Sequence, residues 1–200
     1  MTIAGIDTME NAYKAIHEIN QAMSQIWFKN DLFSWRWWLS VVLVILPWAL
    51  WVVFRKKDST SRLLYVGFAV MLIASWLDFI GVMNGLWSYK YSVVPTMPTF
   101  IPADFSLIPV TIMSVLQFKP NINPYLKAVV LSGMTSFVGE PIFKWLELYN
   151  PKEWKHIYSF IIYVGIYLLA HFMSRRKHFA ELADESADEY DNRRSIRHDL

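Results

Sequence analysis

Four side chains inside the apolar regions of this sequence could do chemistry: Asp78, Asp104, Glu140 and His156. A carboxyl in a low-dielectric surrounding can give or take a proton, or hold a cation, and it is costly there unless it meets a partner or water. Local pairings compete with that reading. Glu140 has Lys144 one turn on, the spacing of an i,i+4 ion pair. Asp104 follows Pro102 at the head of an apolar run, where a helix N-cap would sit. Asp78 has no such neighbour, because Ala74 and Val82 lie one turn to either side. Ser159, Tyr163, Tyr167 and His171 recur every four residues, so one helix face carries a polar stripe that either lines a cavity or bonds to adjacent helices. With Asp78, Glu140 and Asp104 as candidate acids, the expected pocket lining is Trp87, Tyr89, Pro102, Lys144, His156, Ser159, Tyr163 and Tyr167. No catalytic role is assigned to any of them.

The elements that must position these residues are membrane-spanning helices. The 200-residue chain is 54% hydrophobic and only 18% charged, and its charges cluster. Residues 37–54 run through eighteen positions without a charge, enough to cross a hydrocarbon core of about 30 Å. Five such segments are expected, at about 37–54, 63–83, 104–118, 125–146 and 157–174. Backbone groups in hydrocarbon must be satisfied internally, and the alternation of a lipid-facing barrel is absent, so the predicted fold is an all-α polytopic bundle of the cell membrane. An odd number of spans gives no support to an inverted duplication of the transporter kind.

Basic residues set the orientation. RKKDSTSR (55–62), KPNINPYLK (119–127) and RRK (175–177) fall on one side, which places the N-terminus outside and the C-terminus inside. Asp78 then lies about 7–8 Å below the outer edge of the second span, and Glu140 roughly 9 Å below that of the fourth. Asp104 and His156 start their spans at the same level. The acids of separate helices are therefore placed at one membrane level near the outer leaflet, where they either turn inward to a shared polar site or keep independent local pairings. The proline-rich stretch VVPTMPTFIPADFSLIP (93–109) is too apolar for free water and reads as a stiff segment packed over that level, either a binding lid or an outer loop with no ligand. Before it, Trp87, Tyr89 and Tyr91 suit a headgroup interface.

Residues 1–36 read as one amphipathic helix, with Asp7 and Glu10 at capping-box spacing and a stripe of Ala12, Ile16, Ile19, Met23 and Ile26. It either lies on the outer leaflet or binds a partner helix. Residues 175–200 form a charged cytoplasmic tail, acidic at 181–191 and basic at 193–200. The first thirty residues lack the basic start, apolar core and cleavage site of a secretory signal, so the first span is expected to direct insertion.

From Leu64 to Met173 the chain resembles a group of small polytopic membrane proteins from spore-forming Gram-positive bacteria. The resemblance is carried by LDFIGVMNGLWSY, PTFIPADFSLIP, GEPIFKWLELY and WKHIYSF followed by Tyr163. It implies a five-helix membrane fold, and no catalytic residues transfer with it. A second, fainter likeness is to membrane carotenoid (lycopene) cyclases: an acid, then Gly-x-Trp-x-Tyr (85–89), then a Pro before an acid (102–104). Those enzymes protonate an isoprenoid with carboxylates, whereas here Asp104 stands alone where they have paired acids.

Three function classes fit these residues. The first is a non-catalytic assembly or sensor component with a stiff outer face. The second is an enzyme acting on an isoprenoid or lipid by carboxylate acid/base chemistry, with aromatic rings facing a carbocation. The third is a small transporter or ion-binding subunit. The partners expected are the lipid bilayer, a hydrophobic or lipid ligand near the outer leaflet, and a membrane-protein partner. Nucleophilic triads and phosphate loops are missing, and the basic clusters fit topology, so no nucleic acid is expected. No cofactor is expected either, nor a metal, since the chain has no Cys and His17 and His156 stand isolated.

Overall fold

The computed structural model describes residues 7–176; the expected charged tail falls, but for its first two residues, outside the described residues. The fold is all-α. Its helices are α1 (Met9–Asn30), α2 (Trp35–Phe54), α3 (Thr60–Met83), α4 (Pro102–Leu107 continuing as Ile108–Gln117), α5 (Pro124–Trp145) and α6 (His156–Ser174). Four of them, α2, α3, α5 and α6, are long and apolar enough to cross a membrane. Their outward faces carry Ile45, Val53, Phe68, Trp76, Ile161 and Phe172, each more than 60% exposed. Such a surface suits helices whose surroundings are hydrocarbon rather than water.

α3 is the central helix. α4 and α6 pack on it, α2 packs on α4, and α5 packs on α6. The core joins Val66 and Val70 of α3, Met113 of α4, and Tyr167 and Ala170 of α6, all nearly inaccessible. Gly67 permits the approach of α3 to α4, since a Cβ there would lie 2.5 Å from the Met113 sulfur. Short links join α2 to α3 and α4 to α5 at one end of the bundle. The longer connections, 84–101 and 146–155, lie at the other end. These two connections pair as a short antiparallel ladder, β1 (Ser88–Tyr89) with β2 (Tyr149–Asn150).

Two helices begin or break in wide π turns, at Pro102–Leu107 and Thr135–Gly139, and proline explains both. Pro109 and Pro141 have no N–H for the carbonyl four residues back, and their rings crowd it, so the turn ahead of each opens. The carbonyl of Phe105, which Pro109 cannot serve, instead accepts from the Trp48 indole at 2.8 Å. Ser106 is fully buried and donates to the Val44 carbonyl at 2.9 Å. α2 is thereby stitched to α4 by polar contacts inside an apolar surround.

The N-terminal region departs from the expected single helix over 1–36. α1 ends at Asn30, and a turn with Phe33 at φ 61° precedes α2. Its cap is Thr8, whose hydroxyl accepts from Asn11 N–H at 3.2 Å, and not Asp7; Glu10 pairs with Lys14. α1 buries none of its residues. Its Trp27 donates to the Ser92 carbonyl at 2.7 Å. Arg36, at the start of α2, donates to the Leu146 carbonyl at 3.0 Å, pairs with Glu147 at 3.3 Å and lies over the Tyr91 ring. The long connections are thus clamped from the N-terminal side.

Candidate functional site

Asp78 is buried near the end of α3 and is fully engaged. One carboxylate oxygen accepts from the Trp87 indole and the Tyr89 hydroxyl, both at 2.6 Å. The other accepts from the Phe100 backbone N–H at 2.8 Å. All three donors come from the connection between α3 and α4. The polar atoms of Trp87 and Tyr89 thus turn inward, to an acid that has no partner on its own helix. Burial, with Asp78 and Asp104 close by, holds the Tyr89 hydroxyl well above the ordinary tyrosine range. It stays a donor at neutral pH.

Asp104 is not a helix cap. It sits in the π turn that opens α4, and its carboxylate accepts from the Thr99 hydroxyl. It lines the same cavity as the Asp78 carboxyl, close enough for the two to interact. The acid that stands alone in its own motif is paired in space by an acid from another helix.

Glu140 does not pair with Lys144. The π turn before it and the cavity beside it turn its carboxylate toward α6, where it meets His156 Nδ1 at 2.6 Å. Lys144 stays exposed, where its ammonium keeps its hydration. The Ser159 hydroxyl also reaches Glu140, and it accepts in turn from the Trp154 indole at 2.9 Å. Glu140 thus joins α5 to α6 as Asp78 joins α3 to its following connection.

Both clusters border one cavity of about 150 Å³. Asp78, Asp104, Glu140, Trp87, Tyr89, Ser159 and Tyr163 line it. Pro102 is buried behind the wall, and His156 touches the site only through Glu140. Tyr167 is not a lining residue: it fills the core one turn deeper, and its hydroxyl has no hydrogen-bond partner among the described residues. The stretch 93–101 is more than a cover, because it supplies Thr99 and Phe100 to the site and leads directly to Asp104.

Sequence reasoning did not single out Thr99, Phe143, Tyr149 or Trp154. Tyr89 stacks on Phe100 with centroids 4.7 Å apart and leans on Tyr149 at 5.6 Å, and Phe143 meets the edge of Phe100. Burial, then the charges of Glu140 and Asp78, raise the Tyr149 hydroxyl above its usual value. Among the described residues, no Lys, Arg or His lies in the cavity wall, and no group of His, Asp and Glu has a metal-holding arrangement.

Gly81 holds Trp87 in place. A Cβ at this position would fall within the indole ring. Gly81→Ala should push Trp87 off Asp78 and lower stability by roughly 1–3 kcal/mol, the usual range for overpacking. Thermal melting of the purified protein checks this, and in a Trp87→Ala background the same change should cost almost nothing.

Comparison of the chain with protein-family models, with curated proteins and with solved structures finds no match.

Proposed function

We propose that the chain is a five-span protein of the cell membrane, N-terminus outside and C-terminus inside, whose cavity in the outer leaflet receives a small cationic group and acts as a sensor. The basic clusters at 55–62 and 119–127 belong to the end of the bundle opposite the cavity, which supports this orientation. α4 counts as the fifth span although it runs only from Pro102 to Gln117. It begins below the rim because the stretch before it folds inward, with Phe100 only 1% exposed.

One observation carries the reading. Two carboxyls, those of Asp78 and Asp104, line one cavity walled by aromatic rings, and among the described residues no cationic side chain shares that wall. Paired acids in one site keep a proton between them or take up a positive charge. Aromatic faces favour a desolvated organic cation over a hydrated metal ion. Because the bonds of Asp78 run to Trp87, Tyr89 and Phe100, occupancy of the cavity would be felt directly by the connection that forms the outer face.

The test is calorimetric titration of the full chain in lipid nanodiscs with tetramethylammonium chloride. Binding that weakens at least tenfold in Asp104→Asn is expected. Asp104 is chosen because Asp78 carries more of the local fold. Lack of binding, or equal binding by the variant, rejects the reading.

The same carboxyl pair favours a second reading, an enzyme that protonates a lipid or isoprenoid. An altered lipid or isoprenoid species in extracts of cells lacking the gene would favour it over the sensor.

A further inference from the structure

We infer that the cavity has a side door to the bilayer between α4 and α5, and that its ligand is a single-chain amphiphile whose cationic head enters the acid site while its hydrocarbon chain lies in this door. The inference rests on the cation-site reading above and adds the class of molecule. A second recess of about 260 Å³ runs between α4 and α5. Six residues line both it and the acid cavity, among them Ile108, Thr135 and Tyr163. The two spaces therefore adjoin across a shared wall.

The recess is built to hold a chain rather than a polar group. Ile112, Leu131 and Met134 line it beyond the acid cavity. Its Thr135 hydroxyl is already bonded to the Leu131 carbonyl of its own helix at 3.0 Å. The lining of α5 extends from Phe143, at the acid cavity, to Leu131, twelve residues toward the middle of the bundle, or roughly 18 Å along the axis. The π turn Thr135–Gly139 lies at the junction. Thr135 and Gly139, the two ends of that turn, each border both spaces, so it is at this turn that a chain would pass from one to the other. Met134 is 58% exposed on the outer surface, so the door faces hydrocarbon. The acid cavity alone, about 150 Å³, holds a group of benzene size, which suits an ammonium head and excludes its chain.

The probe is a dodecyltrimethylammonium analogue with a photoreactive diazirine at the chain end, applied to the full chain in nanodiscs, with labelled residues mapped by mass spectrometry. Labelling should concentrate on Ile112, Leu131 and Met134 and be suppressed by excess tetramethylammonium. Met134→Trp, which fills the recess, should cut it at least tenfold while incorporation on the lipid face of α2 and calorimetric binding of tetramethylammonium stay unchanged. Labelling spread evenly over α2 and the other outward faces, or unaffected by Met134→Trp, overturns the side door. If tetramethylammonium still binds in that case, the acid site stands and only the door falls. If tetramethylammonium does not bind at all, the underlying reading fails with it. Thr111→Leu, on the exposed lip of α4, repeats the test should Met134→Trp fail to fold.

Discussion

Asp78→Ala should destabilise the protein by about 3–5 kcal/mol and loosen the connection between α3 and α4 before the rest of the bundle melts. Three donors lose their acceptor at once: the Trp87 indole, the Tyr89 hydroxyl and the Phe100 N–H. Each bond to a charged acceptor contributes roughly 1.5–3 kcal/mol, and each donor left buried adds a desolvation cost. Relief of the crowding with Asp104 and of the buried charge offsets part of that sum, which holds the net to a few kcal/mol. Asp78→Asn should fall between wild type and Ala, because one amide oxygen can still serve Trp87 and Tyr89 while the amide nitrogen meets the Phe100 N–H donor to donor. Limited proteolysis within residues 85–101, followed alongside thermal melting, checks the order of events. Cleavage there should appear well below the melting temperature in Asp78→Ala and be absent in wild type. Equal protection of both proteins would mean that the connection is held by its prolines and ring contacts alone.

This expectation also shows what could be read from the residues. Hydropathy made the long helices legible, because uninterrupted apolar runs of spanning length have few other folds open to them. Counting along a helix of fixed rise put Asp78 and Glu140 near the same ends of their helices, and both border one cavity. Partner choice was not legible. Lys144 stands at the right spacing for Glu140, but spacing says nothing of which neighbour is buried, and His156 reaches the carboxylate from a different helix. Trp87 and Tyr89 carry the composition of an interfacial belt, and only tertiary structure shows an unpartnered acid drawing them inward. The π turns have a cue in Pro109 and Pro141, yet proline alone gives a kink and not its form. Thr99, Tyr149 and Trp154 enter the site through connections, where no periodicity marks a facing side. Tyr167 shares its stripe with Ser159 and Tyr163 but lies one turn too deep to reach the cavity.

The second large effect is expected at the Glu140–His156 pair. The contact at 2.6 Å joins α5 to α6 at the end of the bundle that holds the cavity. Glu140 keeps 12% of its side-chain exposure and His156 keeps 32%, so the pair is shielded on one side and wet on the other. Glu140→Ala should therefore cost about 2–3 kcal/mol, below the 3–5 kcal/mol that follows when a fully buried pair is broken. The loss includes the Ser159 hydroxyl, which reaches the same carboxylate and relays to Trp154. A double-mutant cycle with Glu140→Gln and His156→Gln isolates the pair itself, and a coupling of about 1–2 kcal/mol is expected. A coupling near zero would assign the junction of α5 and α6 to its apolar packing and leave Glu140 as a free acid of the cavity wall. Tetramethylammonium titration of the two single variants separates the roles further. His156→Gln leaves the carboxylate in place without its imidazole partner and should strengthen cation binding, whereas Glu140→Gln removes the charge and should weaken it.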